Sequence, residues 1–221
     1  VHLVFDIFQA IGLAAAVGVR PFLPALAAGA LAAGDVELTF KHTSYAFLQG
    51  TPFLLALVVG VIILTLLERQ LQGGAGAGRI GVAGGAGKAK PVAGRKPVAG
   101  LDLSPLTLVL VLAGAAIGAV FFAGELARGH AVVWPGYVAG PVCALIGAAA
   151  SQPLFARVRA RLDAAAAAAL PLYAEGAALL LGVLSILAPP VGPIGLALLV
   201  WLLIGGRRRG ERKYAGLRIL R

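Results

Sequence analysis

An apolar run from Leu3 to Ala32 is interrupted near its centre by Val17-Gly18-Val19-Arg20-Pro21-Phe22-Leu23-Pro24. Arginine in the middle of a hydrophobic span costs about 2.5–3.5 kcal/mol on insertion scales. Pro21 and Pro24 each remove a backbone donor and disturb the helix one turn back. Charge and helix breakers kept together at membrane depth mark a polar site near the midplane. Composition places the run in a bilayer rather than a soluble core. Of the 221 residues, 60% are hydrophobic and 13% charged, against about 45–50% apolar and about 25% charged in a soluble domain.

At about 20 residues per crossing, the sequence divides into six spans: 3–32, 46–67, 103–125, 131–156, 164–188 and 190–206. Asp102-Leu103-Ser104-Pro105 predicts the start of the third, with serine as cap and proline at the first helical position. Asp163 can cap the alanine run from Ala164 to Ala169 that opens the fifth. Ala188-Pro189-Pro190-Val191-Gly192-Pro193 reads as a turn too short and apolar to leave the membrane far behind. Trp134, Tyr137 and Trp201 take the interface positions that aromatics favour. Ala30-Leu31-Ala32 resembles a signal-peptide cleavage site. No basic stretch precedes the run, however, and the run is too long, so a retained span is expected. The sequence contains no methionine, and Val1 reads as an initiator from a GTG codon, which makes the chain bacterial.

Basic residues orient the spans. Arg69, Arg79, Lys88, Lys90, Arg95 and Lys96 fall in the 2–3 loop, and Arg157, Arg159 and Arg161 in the 4–5 loop. Arg207, Arg208, Arg209, Arg212, Lys213, Arg218 and Arg221 form the tail. Only Lys41 and Arg128 fall on the other side, with Arg20 inside span one. The positive-inside rule then predicts a multi-pass protein of the bacterial cytoplasmic (inner) membrane with both termini cytoplasmic. Its partner there is a bilayer with anionic headgroups on the cytoplasmic side. The net charge of +10 is thereby assigned to lipid and not to nucleic acid.

Residues 69–102 form a basic Gly/Ala linker without hydrophobic periodicity, expected to be flexible. Gly76-Ala77-Gly78-Arg79-Ile80-Gly81 spells G-x-G-x-x-G, but no strand–helix–strand unit surrounds it, so a dinucleotide cofactor is not expected. No cofactor is expected at all. One cysteine, Cys143, and three scattered histidines offer no metal-ligand spacing. G-x-S-x-G and H-E-x-x-H are both missing, so the chain reads as no enzyme. Gly114 and Gly118 form a G-x-x-x-G that permits close helix contact, within the bundle or in a homodimer.

Two halves, 1–128 and 129–206, precede the tail 207–221. Arg20-Pro21-Phe22-Leu23 is similar to Gln152-Pro153-Leu154-Phe155, each after a run of alanines. Gln49-Gly50 is similar to Glu175-Gly176 in the next helix of each half. Three crossings invert direction, so the expected fold is all-α, six helices in a 3+3 inverted repeat. Its first and fourth helices would be broken at Pro21, Pro24 and Pro153. Arg20, Gln152, Gln49 and Glu175 would then face one cavity, with Arg20 and Glu175 as a buried pair. Asp6 reads as a cytoplasmic residue at the start of span one, and Glu68 as interfacial. Glu125, Arg128 and His130 read as the outer end of span three, with an external vestibule as the alternative.

Gly12-Leu13 and Gly18-Val19-Arg20-Pro21-Phe22-Leu23-Pro24 resemble the G-L-R-A-F-L-P opening of a bacterial integral membrane family known only as a domain of unknown function. The resemblance extends to the span ending at Leu67-Glu68. Pro21 stands where that family has alanine, and a basic glycine-rich linker replaces its acidic segment. The resemblance implies a membrane protein and no particular activity. The expected function is a transporter or channel for a small solute, an anion being the candidate suggested by Arg20. The alternative is a membrane scaffold or lipid-interacting protein in which Arg20 and Glu175 are structural.

Overall fold

The computed structural model describes residues 2–77 and 105–215. The described residues form seven α-helices and no strand. In chain order these are α1 (His2–Val19), α2 (Phe22–Ala33), α3 (Thr51–Ala77), α4 (Pro105–Arg128), α5 (Trp134–Arg159), α6 (Ala164–Leu187) and α7 (Val191–Ala215). A 3-10 turn, Ala46–Gln49, precedes α3. Four helices are long and apolar enough to cross a membrane: α1, most of α4, α5 and most of α6. The apolar parts of α2, α3 and α7 are shorter.

The run from Leu3 to Ala32 is two helices that fold back on each other. α1 closes with Arg20 N donating to Ala16 O at 3.1 Å. Pro21 has no N–H to continue the ladder onto Val17 O. Pro24 is the third residue of α2, where a helix has no use for the missing donor. Arg128, at the end of α4, donates to Asp6 near the start of α1 and to the backbone oxygen of Glu37, just past α2. The chain therefore leaves this end along α1 and returns to it along α2. Arg128 thus marks a near end; the Arg20–Pro21 elbow lies toward the far end.

The other helices fall into place from their contacts. Tyr45 Oη and Tyr137 Oη lie 2.6 Å apart, tying the 3-10 turn to the first turn of α5 at the near end. Gly60 of α3 faces Phe22, so α3 runs away from that end. The linkers 129–133 and 188–190 lie at the near end. Arg157, Arg159 and Arg161 follow α5 to the far end, where Asp163 caps α6 as expected, accepting from Ala166 N at 2.7 Å.

Four expectations differ from the structure. Asp6 and Arg128, placed on opposite faces by six spans, are in contact. The first span breaks at Pro21 as expected, but into two separate helices, so the described residues hold seven helices where six spans were expected. Pro153 breaks nothing: with Pro141 it lies inside the continuous α5, as proline does where neighbouring groups in a membrane bundle re-satisfy freed carbonyls. The proposed repeat mates also differ in place, because Arg20-Pro21 sits at an elbow and Gln152-Pro153 within a helix. The Ser104 cap and linker residues 78–102 lie outside the described residues; Arg69–Ala77 continue α3, and the tail is helical to Ala215.

α1 is the axis, touching α2, α4, α5, α6 and α7. Ala14, Ala15, Ala16 and Val17 are fully buried. Its neighbours approach at backbone distance: a Cβ on Gly192 would stand 2.0 Å from Phe8 O, and one on Gly18 would stand 2.0 Å from Ala144 O. Gly114 faces Val17 O and Gly118 faces Gly140 O, so the G-x-x-x-G serves contacts inside the bundle. The outer surface is apolar, with Leu55, Val59 and Ile62 on α3, Val109 and Leu112 on α4, and Ile194 and Leu198 on α7 all exposed. A bundle that turns its large apolar side chains outward suits lipid.

Candidate functional site

Polar groups gather at both ends of α1. At the near end Asp6 and Gln9 are three residues apart on α1, and Glu125 and Arg128 are three apart on α4, so each pair shares a helix face. The two faces meet. Arg128 Nη2 donates to Asp6 Oδ1 at 2.5 Å and to Gln9 Oε1 at 2.6 Å, and stands 3.0 Å from Glu125 Oε2. Arg128 Nη1 donates to Glu37 O at 2.6 Å. Gln9 Nε2 donates to Ile186 O at 2.8 Å, which carries the network to the end of α6.

A donor count shows what the cluster lacks. Nη2 carries two hydrogens, and three acceptors converge on it. Asp6 and Gln9 take the hydrogen bonds. Glu125 is 0% exposed, and neither of its carboxylate oxygens has a hydrogen-bond partner. Arg128 Nε is buried and equally unmatched. Buried polar atoms are nearly always satisfied, so each exception asks for a reason.

A crevice of about 320 Å³ opens beside this cluster, lined by His2, Phe5, Asp6, Gln9, Glu37, Arg128 and Pro189. Glu37 of its lining is left-handed (φ 58°), as are Asp35 (φ 55°) and His130 (φ 53°), each two residues in sequence from a lining residue. Such conformations in residues other than glycine cluster at functional sites. Lys41 pairs with Asp35 on the surface and holds its carboxyl below the usual range by a hydrogen bond. Burial, then its hydrogen bond with Tyr137, pushes the Tyr45 phenol up to about 12. Among the described residues no group of three His, Cys, Asp or Glu side chains could hold a metal.

The sequence-predicted residues divide between the ends. Arg20, at the elbow, is half-buried and engaged by a neighbouring group, as is Glu175. Glu175 precedes Gly182 by two turns on the same face of α6, and Gly182 packs on Leu13, Ala16 and Pro24. At about 1.5 Å per residue, Glu175 lies about 10 Å farther toward the far end, within reach of an arginine four residues past Ala16. Gln152 follows Gly147, whose neighbours are Ala15 and Val19, and its Oε1 is buried without a hydrogen bond. Arg20, Gln152 and Glu175 therefore share a level in the far half of the bundle. Gln49 does not join them: it ends the 3-10 turn at the near end, where its Oε1 accepts from Phe40 N at 3.0 Å.

The Arg128 cluster is a site that sequence reasoning divided between two membrane faces. Its signal was present in the two i, i+3 polar pairs at helix ends. Their partnership spans 122 residues, and nothing local announces it. No protein-family model, curated protein or solved structure matches the chain.

Proposed function

We propose that this protein is a small membrane transporter, not an enzyme, that moves a small solute through a bundle organised on α1. One observation carries this reading: wholly buried, un-hydrogen-bonded Glu125 stands behind an open polar crevice of about 320 Å³. Ionisable residues inside membrane bundles face solute and ion paths by default. The near end has Asp6, Asp35, Glu37 and Glu125 against Lys41 and Arg128, whereas the far end has Arg157, Arg159 and Arg161 against Asp163. The positive-inside rule therefore favours a cytoplasmic far end against anionic lipid, with the start of α1 and the crevice on the opposite face. This arrangement replaces the one with both termini cytoplasmic. The solute enters at the near end, and Arg20, Gln152 and Glu175 form a second polar level on the cytoplasmic side.

The close backbone contacts along α1 favour a second reading, a scaffold in which both polar levels only lock the helix in place. Reconstitution separates the two. Transport predicts flux above empty vesicles for at least one member of a cation, anion and metabolite panel. It also predicts loss of that flux in Arg20→Leu while the variant still unfolds cooperatively in detergent. Flux equal to empty vesicles across the panel leaves the scaffold standing.

A further inference from the structure

We propose that the near-end crevice binds a small organic ammonium ion on a short apolar stem, which names the solute class of the transport site above and rests on that reading. The crevice and the cluster behind it bring three acidic residues, Asp6, Glu37 and Glu125, against one guanidinium, and both Glu125 oxygens lack a hydrogen bond. An ammonium supplies further donors and a positive charge together. Bonded to Asp6, it frees an Nη2 hydrogen of Arg128 for Glu125 Oε2, 3.0 Å away. Phe5 and Pro189 give the crevice an apolar wall for the stem, and an aromatic face adds attraction for a cation. An anion finds the opposite. Asp6 and Glu37 line the crevice and Glu125 lies behind it, so the acidic residues outnumber Arg128 and repel a carboxylate or phosphate. Arg20, which suggested an anionic solute, lies at the other end of α1 and does not line this crevice.

The test titrates the purified full chain in detergent with n-butylamine hydrochloride and, at matched ionic strength, with sodium butyrate, reading the unfolding midpoint. The amine gives a saturable rise that butyrate does not. Asp6→Asn weakens half-saturation about tenfold, the size expected for one charge-assisted hydrogen bond. Should Asp6→Asn fail to fold, Glu37→Gln retains the backbone oxygen that holds Arg128 and still weakens amine binding several-fold. No saturable amine effect, a saturable butyrate effect, or unchanged affinity in the folded variants overturns the assignment. Solute flux without amine binding overturns the class and leaves transport intact. Amine binding without flux of the amine or of any panel member supports the site and removes the transport reading.

Discussion

At the scale of single residues, Arg128 and Glu125 are unequal partners. Arg128 serves Asp6, Gln9 and the Glu37 carbonyl, and Glu125 receives only its proximity. Removing Arg128 leaves carboxylates buried without a counter-charge, so Arg128→Ala is expected to cost about 3–5 kcal/mol. Glu125→Gln keeps the shape and removes the underserved charge, so it is expected to be neutral within about 1 kcal/mol or stabilising. Unfolding of the two variants side by side in detergent checks the asymmetry; equal losses would show that Glu125 is fully paired. Gln9 has one workable amide orientation, because a flip would lose both its bond from Arg128 and its bond to Ile186 O.

At the scale of helices, what holds α1 is backbone contact. Gly192→Ala forces a methyl to 2.0 Å from Phe8 O, and two helix backbones must separate to admit it. The expected loss is about 1–3 kcal/mol or more. Gly176→Ala meets nothing within 4 Å and is expected to gain up to about 1 kcal/mol from helix propensity. Thermal unfolding of the two variants gives opposite signs if this account holds. Much at this scale was legible in the sequence: the Asp163 cap, the tight turn before α7, and the aromatic start of α5 all lie where local chemistry put them. The fold-back after Arg20 was not. Hydropathy measures length and cannot tell one long tilted crossing from two short helices meeting at a proline. Pro24 held the missing clue, since a proline three residues into a helix marks a beginning. Pro153 misled for the complementary reason, that a bundle in lipid can absorb a proline without breaking the helix. The Arg128 cluster stayed hidden because it depends on which helix ends meet, a property of the whole bundle.

At the scale of the molecule, the seven helices have an acidic near end and a basic far end, and that polarity makes orientation measurable. In a Cys143→Ala background, Val36→Cys at the near end and Leu162→Cys at the far end are both exposed. A membrane-impermeant maleimide applied to intact cells is expected to label position 36, and to reach position 162 only after permeabilisation. The reverse pattern would invert the assignment and put the crevice in the cytoplasm. The central place of α1 also bears on how the protein is made. α1 leaves the ribosome before every helix that surrounds it. When α3 has been synthesised, Asp6 and Gln9 have no Arg128, and the small-residue faces of α1 meet lipid or the insertion machinery. Arg128 arrives with α4, the Ala144 contact with α5, the Ile186 carbonyl with α6, and Gly192 only with α7. α1, translated before the six other described helices, is therefore the last of the seven to be enclosed, and assembly waits on α5, α6 and α7.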